Sequence, residues 1–401
     1  MEADLVVAGA GALGLSTALH AALAGLSVVV VERETAGSQA TGRAAGLFKS
    51  VQADELRTEL ARRSIRKAIS FADWAGAELP VTRTGSLLVA RTAAHKAYLR
   101  TEASQSRGWG VEVRDAGPDQ LDAVTFYRPS GGELALSCPE DVYIEEPMEL
   151  VRAYVAACEV HGVEFFDGEA VTGILLSAGR VAGVETTRRS IATGVVVDAA
   201  GAWTRQVAEL AGGDAALAPV RHQLLITEPS EQVSVADPIV RVVDAAIYLR
   251  PARGGLMLGG FESAPLPLDP RREPPYFSTA DVPLDLGVLA GFAAQVAAEV
   301  PLASSGAVAE HRGGLFTMSP DGRFLAGPVP QVPGLWVASG CNGSGFSSSP
   351  ALGESLAAWI LSGPDAQSPL SALAPGRFGV LPDDYLVSSG IWQYAHYYDP
   401  A

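Results

Sequence analysis

The stretch that decides the fold is "DLVVAGAGALGLSTALHAALAGLSVVVVERE", residues 4–34. It opens on a short apolar run, continues with apolar residues at helical spacing, and closes on a second apolar run after Gly25. Short continuous apolar runs are typical of strands buried on both faces, and the spacing between them is typical of a helix. The stretch therefore predicts a strand–helix–strand unit of a parallel sheet.

Three glycines occupy the junction between the first predicted strand and the helix. Gly9, Gly11 and Gly14 match G-x-G-x-x-G, which permits a tight turn, close approach of a pyrophosphate and close helix–strand packing. Glu32 ends the second strand, where a carboxylate accepts hydrogen bonds from a ribose. We expect a dinucleotide site, with a Gly-rich turn that binds no nucleotide as the alternative. The motif alone does not separate NAD from FAD.

Composition and charge set limits on the rest of the protein. The chain has 401 residues, 48% of them hydrophobic, and a formal net charge of −16. We therefore expect two domains and neither nucleic acid nor membrane as a partner. Three scattered cysteines form no disulfide framework, and the acidic start "MEAD" is unlike a signal peptide, which favours a cytoplasmic protein. The histidine and cysteine spacings predict no metal site.

Four later stretches, taken together with the opening one, carry a resemblance to a known enzyme family. They are "GSQATGRAAGLF" (37–48), "VVVDAAGAWT" (195–204), "PVRHQLLITEP" (219–229) and "GLFTMSPDGRFLAGPVPQVPGLWVASGCNGSGFSSSPALGESLA" (314–357). With these stretches the chain resembles the D-amino-acid-oxidase superfamily of FAD enzymes. The closer resemblance is to its sarcosine oxidase β-subunit and dimethylglycine dehydrogenase branch. The resemblance implies FAD as the cofactor.

Predicted strands and helices alternate at both ends of the chain and in one central piece, with strand-rich segments between them. We therefore expect an α/β protein, α+β overall, that weaves between two domains. The resemblance implies a Rossmann-like FAD-binding domain assembled from the discontinuous segments 1–80, 145–218 and 311–378. It implies an antiparallel-sheet substrate domain from segments 81–144 and 219–310. Residues 379–401 form a tail without an obvious element, and its aromatic residues favour a packing or dimer patch.

The resemblance also implies which residues contact FAD. The glycine turn would hold the pyrophosphate, Glu32 the adenosine ribose, Val171 the adenine through its backbone, and the loop before the last helix the flavin ring. In full, the implied cofactor residues are Gly9, Gly11, Leu13, Gly14, Glu32, Arg33, Ser38, Gln39, Gly42, Arg43, Val171, Ala200, Gly201, Trp203, Asn342, Gly343, Ser344, Gly345 and Phe346.

Several positions depart from the family patterns. Monomeric sarcosine oxidases bond covalently to the flavin through a cysteine where this chain has Gly314. Dimethylglycine dehydrogenases do so through a histidine where this chain has Arg43. Non-covalent FAD is therefore expected. The usual partners of a substrate carboxylate are also replaced, an arginine by Phe316 and a lysine by Ser347, so a simple free amino acid is a less favoured substrate.

Cationic side chains are the main catalytic candidates, since reduction deposits negative charge near the flavin N1–C2=O. Arg43 is the candidate for the flavin face, and Lys49 for a substrate anion or oxygen activation. Arg312 could replace the missing clamp, because a guanidinium forks onto carboxylate. Tyr248 and Arg250 alternate by two in a predicted strand and so share one face, which fits part of a substrate pocket. For each of these residues a structural or solvated position is the alternative.

These features predict a FAD-dependent oxidoreductase that oxidises a C–N bond of a primary or secondary, amino-acid-like amine to an imine by hydride transfer to flavin N5. Oxygen or another acceptor would reoxidise the flavin, in a homodimer or with a partner subunit. Two alternatives stay open: oxidation of a C–OH bond, as in a 2-hydroxy acid, and a flavin-binding subunit without turnover of its own. His222, in "RHQ", fits either the family pattern or a buried structural histidine.

Overall fold

A computed structural model describes residues 1–399 of the chain. Its strands, in chain order, are β1 (Leu5–Ala8), β2 (Val28–Glu32), β3 (Leu47–Phe48), β4 (Ser86–Ala90), β5 (Arg114–Asp115), β6 (Leu134–Cys138), β7 (Val142–Tyr143), β8 (Glu164–Asp167), β9 (Val171–Ser177), β10 (Arg180–Thr186), β11 (Ser190–Ala192), β12 (Val196–Asp198), β13 (Ala218–Thr227), β14 (Ile239–Val242), β15 (Ile247–Ala252), β16 (Gly255–Gly260), β17 (Val308–Met318), β18 (Leu325–Pro328) and β19 (Leu335–Ser339). Its helices are α1 (Ala12–Leu23), α2 (Glu55–Ile69), α3 (Phe71–Ala75), α4 (Ala93–Gly108), α5 (Pro118–Asp122), α6 (Pro147–Val160), α7 (Thr204–Glu209), α8 (Leu286–Gln295), α9 (Pro301–Ser305), α10 (Gly345–Ser362) and α11 (Asp383–Ala395). The predicted strand–helix–strand unit is confirmed as β1, α1 and β2.

A six-stranded sheet forms the first core, in the order β18-β19-β12-β1-β2-β8. Its neighbouring strands are parallel except β18 and β19. Every residue of β1 and β2 is buried, because α1, α6 and α10 cover one face and the three-stranded sheet β9–β11 covers the other. Val7 thus packs towards the helices and Val6 towards β9 and β10. Burial on both faces explains why the apolar runs do not alternate with polar residues.

An eight-stranded sheet forms the second core, in the order β17-β13-β16-β15-β14-β4-β6-β5. Its neighbouring strands are antiparallel except β14 and β4. β17 pairs with β13 from Met318 opposite Ala218 to Val308 opposite Thr227. Strand β17 therefore crosses the boundary expected at residue 311. The sequence does not show this, because the partner strand β13 lies far away along the chain and leaves no local signal. Residues up to Met318 belong to this sheet.

The C-terminal segment, in which the sequence shows no element, contains helix α11. Its buried residues are Leu386, Gly390 and Tyr394, about one in each turn. This apolar stripe is narrower than that of an ordinary surface helix, so the periodicity is hard to detect. The helix packs on β13 and β17, which joins the segment to the eight-stranded sheet.

Three features are absent from the part of the chain that the structure describes. None of its helices is both long and apolar enough to cross a membrane. No group of three or more His, Cys, Asp or Glu side chains in it is arranged to hold a metal ion. None of its cysteines, Cys138, Cys158 and Cys341, is in a disulfide.

Candidate cofactor and substrate site

A cavity of about 400 Å³ lies at the carboxyl ends of β1, β2, β12 and β19. This edge of a parallel sheet is where ligands bind in open α/β folds. The cavity brings together most of the sequence-predicted cofactor residues, which come from segments far apart in the chain. Those that line it are Gly9, Gly11, Leu13, Glu32, Arg33, Gln39, Val171, Ala200, Gly201, Trp203, Gly343, Gly345 and Phe346.

The glycine turn is shaped by close backbone contacts. Gly9 has a φ of +108°, and a Cβ there would lie 2.6 Å from the Ala199 carbonyl oxygen. A Cβ on Gly14 would lie 2.0 Å from the Gly9 carbonyl oxygen, so Gly14 packs the helix on the strand and does not line the cavity. Gly11 precedes α1, the Ala12 N–H donates to the Thr41 hydroxyl at 3.1 Å, and the first turn carries no acidic residue. The start of α1 therefore suits an anionic group.

Glu32 ties the end of β2 to the glycine turn. One carboxylate oxygen accepts the Ala10 N–H at 2.9 Å and the other accepts the Glu34 N–H at 2.9 Å. Burial raises the pKa of this carboxyl, and the two backbone hydrogen bonds only partly oppose it. Arg33, the next residue, stacks its guanidinium 4.3 Å from the Trp203 ring centroid. These contacts shape one end of the first cavity.

The other sequence-predicted cofactor residues lie outside the first cavity. The Asn342 side chain accepts the Ser319 N–H at 3.0 Å and donates to the Gly340 carbonyl at 2.6 Å, so it braces its own loop. Ser344 directly precedes α10. The Ser38 hydroxyl donates to Glu34 at 3.4 Å. A Cβ on Gly42 would lie 2.6 Å from the Met148 sulfur, so its role is close packing. Arg43 lines the second cavity, which is described next.

Sequence reasoning missed part of the first cavity's lining. Leu315, Phe316 and Thr317 reach it from β17, and Pro275 from the loop between β16 and α8. That loop is anchored because the Thr279 N–H donates to the Gln39 side chain at 2.8 Å. No local pattern indicates these approaches, since that of β17 depends on its pairing with β13 and that of Pro275 on the contact between Thr279 and Gln39. Cys341 also lines the cavity.

A second cavity, of about 80 Å³, adjoins the first. The two share Ala40, Ala44, Phe316, Gly343 and Phe346 in their linings. A small chamber, lined by both charged and apolar side chains, therefore opens onto the predicted flavin end of the larger one. The other side chains at issue that line it are Arg43, Lys49, His222, Tyr248, Phe261, Arg312, Ser347, Tyr397 and Tyr398.

Arg312 is the most deeply placed cation of the second cavity. It is 6% exposed, and burial lowers its pKa. One terminal nitrogen is 3.4 Å from a Glu310 carboxylate oxygen and the other is 3.4 Å from the Ala44 carbonyl. Its Nε has no partner among the protein atoms. A buried guanidinium with long contacts and a free donor is suited to an anionic ligand.

The sequence predicts that Arg250 shares a substrate pocket with Tyr248, but the structure places Arg250 outside it. It does not line either cavity. The guanidinium is fully buried and donates to the carbonyls of Ala45 at 2.9 Å, Glu145 at 2.9 Å and Pro251 at 2.6 Å. Burial lowers its pKa to about 10. The alternation rule gave the correct face, but Arg250 holds the backbone beside the second cavity instead of entering it.

Both ring nitrogens of His222 have hydrogen-bond partners, and the imidazole lies in a cluster of aromatic side chains. Its Nε2 is 2.8 Å from the Tyr248 hydroxyl and its Nδ1 is 2.7 Å from the Tyr394 hydroxyl. The imidazole stacks on Phe316, with ring centroids 4.2 Å apart. Burial lowers the pKa of His222 to about 3, and Lys49 adds to this effect. The histidine is therefore neutral at ordinary pH, which supports the structural alternative.

The low pKa of His222 predicts how the free energy of unfolding depends on pH. Below pH 6.5 the unfolded chain protonates His222 while the folded chain does not, so this residue lowers the free energy of unfolding as the pH falls. The loss is at most about 1.4 kcal/mol per pH unit. We expect the stability difference between the wild type and His222→Gln, measured by urea titration, to narrow between about pH 7 and about pH 5. A difference that stays constant with pH would contradict the low pKa.

Lys49 and the tail meet in the second cavity. The Lys49 ammonium donates to the Tyr397 hydroxyl at 2.7 Å, and the Tyr397 ring stacks on Phe261 with centroids 4.0 Å apart. The prediction of a packing patch describes Tyr394, which is fully buried. Tyr397 and Tyr398 pack in the same cluster and also line the cavity. Sequence reasoning missed their place in the cavity because only the packing of α11 brings them there.

Comparison with known proteins gives a family match and several curated relatives, of which two are described. The sequence profile of a family described as FAD dependent oxidoreductase matches residues 4–359. The chain is 27% identical to the mitochondrial sarcosine dehydrogenase of Homo sapiens over 380 residues, 90% of this chain and 40% of that protein. It is 28% identical to the 4-methylaminobutanoate oxidase (formaldehyde-forming) of Paenarthrobacter nicotinovorans over 362 residues, 89% of this chain and 43% of that protein. The chain spans less than half the length of either relative.

Among solved structures, the L-proline dehydrogenase from P. horikoshii superposes with a TM-score of 0.84 at 23% identity. The superposition covers 94% of this chain and 98% of that one. At this level of identity the likeness concerns the fold. It confirms the predicted fold class, which combines α/β architecture with an antiparallel sheet.

Proposed function

Since the chain belongs to the family of FAD dependent oxidoreductases, as its motifs predict, we propose that it oxidises a C–N bond of a primary or secondary amine to an imine. The observation that carries this proposal is the second cavity: it is small, adjoins the predicted flavin end of the first, and contains the buried, incompletely paired Arg312. The names of the two curated relatives, which concern N-methylated amino acids, support the same class of substrate.

FAD fits the first cavity by the chemistry of its lining. Apart from the Ala12 N–H, which donates to the Thr41 hydroxyl, the start of α1 would offer N–H groups to the pyrophosphate, and Glu32 would offer carboxylate oxygens to the ribose. When bound, FAD supplies the hydride acceptor. Arg43, whose Nε has no protein partner, would place positive charge beside the flavin, where reduction deposits negative charge.

The substrate that suits the second cavity carries a carboxylate as well as an amine. Arg43, Lys49 and Arg312 give it three cations, and no carboxylate lines it among the described residues. Arg312 would fork onto the carboxylate in place of the arginine that Phe316 replaces. The apolar rings of Phe261 and Phe346 would pack against the carbon chain. This arrangement favours an N-methylated amino acid over an uncharged amine.

We also propose that the FAD is bound non-covalently. The backbone position Gly314, which carries the anchor in monomeric sarcosine oxidases, offers no nucleophile. Cys341 lines the first cavity, but burial raises the pKa of its thiol to about 11, so the thiolate needed for bonding is scarce. Precipitating the purified protein with acid checks this proposal: a yellow supernatant supports it, and a yellow pellet overturns it.

We propose that oxygen or another acceptor takes the electrons. We also propose that the protein acts as a homodimer or with a partner subunit. Peroxide formation in air separates an oxidase from a dehydrogenase. A cytoplasmic location is likewise proposed, and the three unpaired cysteines support it.

The main experiment is a set of candidate substrates added to the purified protein without oxygen. We expect sarcosine or 4-methylaminobutanoate to bleach the flavin absorbance, and a 2-hydroxy acid such as lactate to leave it unchanged. Bleaching by lactate alone would favour C–OH oxidation. Bleaching by no small molecule would favour a flavin-binding subunit without turnover of its own.

A further inference from the structure

An amine can lose hydride from its carbon only when the nitrogen lone pair is free to form the imine. Simple alkylamines are protonated at neutral pH, as the ordinary pKa of lysine near about 10.4 illustrates. The proposed function therefore requires a group in the second cavity that takes a proton from the substrate ammonium. This inference rests on that proposed function and names the group.

The side chains that line the second cavity leave few candidates. None of them is a carboxylate within the described residues. His222 has both ring nitrogens engaged by Tyr248 and Tyr394. The Tyr248 hydroxyl is in turn held by His222. Lys49 is an ammonium that donates to the Tyr397 oxygen. Two tyrosine oxygens, those of Tyr397 and Tyr398, then remain as bases.

Tyr397 differs from Tyr398 in its contact with a cation. The Lys49 ammonium lies 2.7 Å from the Tyr397 oxygen, and an ammonium at hydrogen-bonding distance stabilises a phenolate. Tyr398 packs edge-on against Tyr397, with ring centroids 5.0 Å apart. Both rings lie in the tail after α11, where Phe261 holds Tyr397 by stacking.

We propose that the Tyr397 oxygen, paired with the Lys49 ammonium, is the base that takes the proton from the substrate ammonium. In this step the substrate N–H bond breaks and an O–H bond forms on the Tyr397 phenolate. The substrate becomes a neutral amine, and the pair changes from zero net charge to +1. No oxidant takes part, because the hydride leaves in a separate step.

The electrostatic surroundings agree with this assignment. Burial raises the pKa of Tyr397, but the charge and hydrogen bond of the Lys49 ammonium, together with Ser344 and Arg57, outweigh this effect, so the net direction is down. The pKa values of Tyr398 and Tyr248 are instead raised by burial. The other titratable groups facing the pair come from several elements and are Arg57, Tyr98, Glu102, His222, Arg241 and Tyr398.

The test uses the FAD-loaded protein and the pH dependence of flavin bleaching by sarcosine or 4-methylaminobutanoate without oxygen. We expect Tyr397→Phe to bleach about 100-fold more slowly than the wild type near neutral pH. The deficit should shrink about tenfold per pH unit on raising the pH, since free amine then comes from solution. Tyr385→Phe, on the exposed face of α11, is the matched control and should keep the wild-type profile.

The outcomes separate this inference from the proposed function. If no amine bleaches the wild type, the proposed function fails. If amines bleach it and Tyr397→Phe shows an unchanged pH profile, or a loss that is constant with pH, Tyr397 is not the base. A second readout needs neither substrate nor flavin: ultraviolet titration should detect a tyrosinate that forms below the ordinary pKa of 10.0 in the wild type and is missing in Tyr397→Phe. Its presence in both proteins would also overturn the assignment.

Discussion

A Gly14→Ala variant is expected to lose its bound FAD. The new Cβ would lie 2.0 Å from the Gly9 carbonyl oxygen and 3.1 Å from the Ala199 Cβ, distances that require α1 to move away from β1 and β12. Overpacking of this kind costs about 1–3 kcal/mol or more, and the movement displaces the helix start, which we propose binds the pyrophosphate. We expect FAD affinity to fall about 100-fold, measured by titrating the apoprotein with FAD.

Gly291→Ala is the matched control for this substitution. Gly291 lies within α8, and a Cβ there meets no atom within 4 Å. Alanine is the better helix former by about 1 kcal/mol, so this variant should keep its FAD and be slightly more stable. Wild-type FAD affinity in Gly14→Ala would show that the close contact between turn and helix does not shape the cofactor site.

An Arg312→Met variant is expected to have a KM for sarcosine about 100 times that of the wild type. Methionine retains the length of the side chain but cannot pair with a substrate carboxylate, and losing one partner of a buried charge pair costs about 2–5 kcal/mol. Activity on dimethylamine, which lacks the carboxylate, should change little. The measurement is steady-state kinetics on both amines at one pH.

Two further variants make the result specific. Arg312→Lys keeps the charge but not the fork, so it should restore only part of the affinity. Arg253→Gln removes an exposed arginine from the same ion cluster, since Arg253 pairs with Glu310 at 2.5 Å and Glu310 contacts Arg312. Surface pairs contribute about 0–1 kcal/mol, so its KM should stay near that of the wild type. An equal loss on sarcosine and dimethylamine in Arg312→Met would contradict carboxylate recognition.

The nucleotide-binding half of the site is largely readable from sequence because its causes are local. The apolar runs of β1 and β2, the glycines of the turn and Glu32 lie within thirty-odd consecutive residues, and the geometry of a strand, a tight turn and a helix start follows from residues next to one another. Not every cofactor residue predicted from sequence lines the cavity. Gly14 in this stretch, and Asn342 in the loop before α10, position their neighbours instead.

The substrate half is less readable because long-range packing creates it. Tyr248 and Arg250 share a face, as alternation predicts, but the backbone around Ala45 and Glu145 occupies the space above Arg250 and turns it into a structural residue. The periodicity of a strand predicts which side chains share a face. It does not predict which other segments of the chain pack against that face.

The sequence by itself determined the strand–helix–strand unit, the glycine turn with its acidic partner, and the set of cations available for a substrate anion. Each depends on the chemistry or spacing of neighbouring residues. Only the tertiary structure decided which cations enter the second cavity, that β17 belongs to the eight-stranded sheet, and that Tyr397 reaches Lys49 from 348 residues away. These depend on strand register and on the docking of α11, which bring together side chains whose separation along the chain carries no signal.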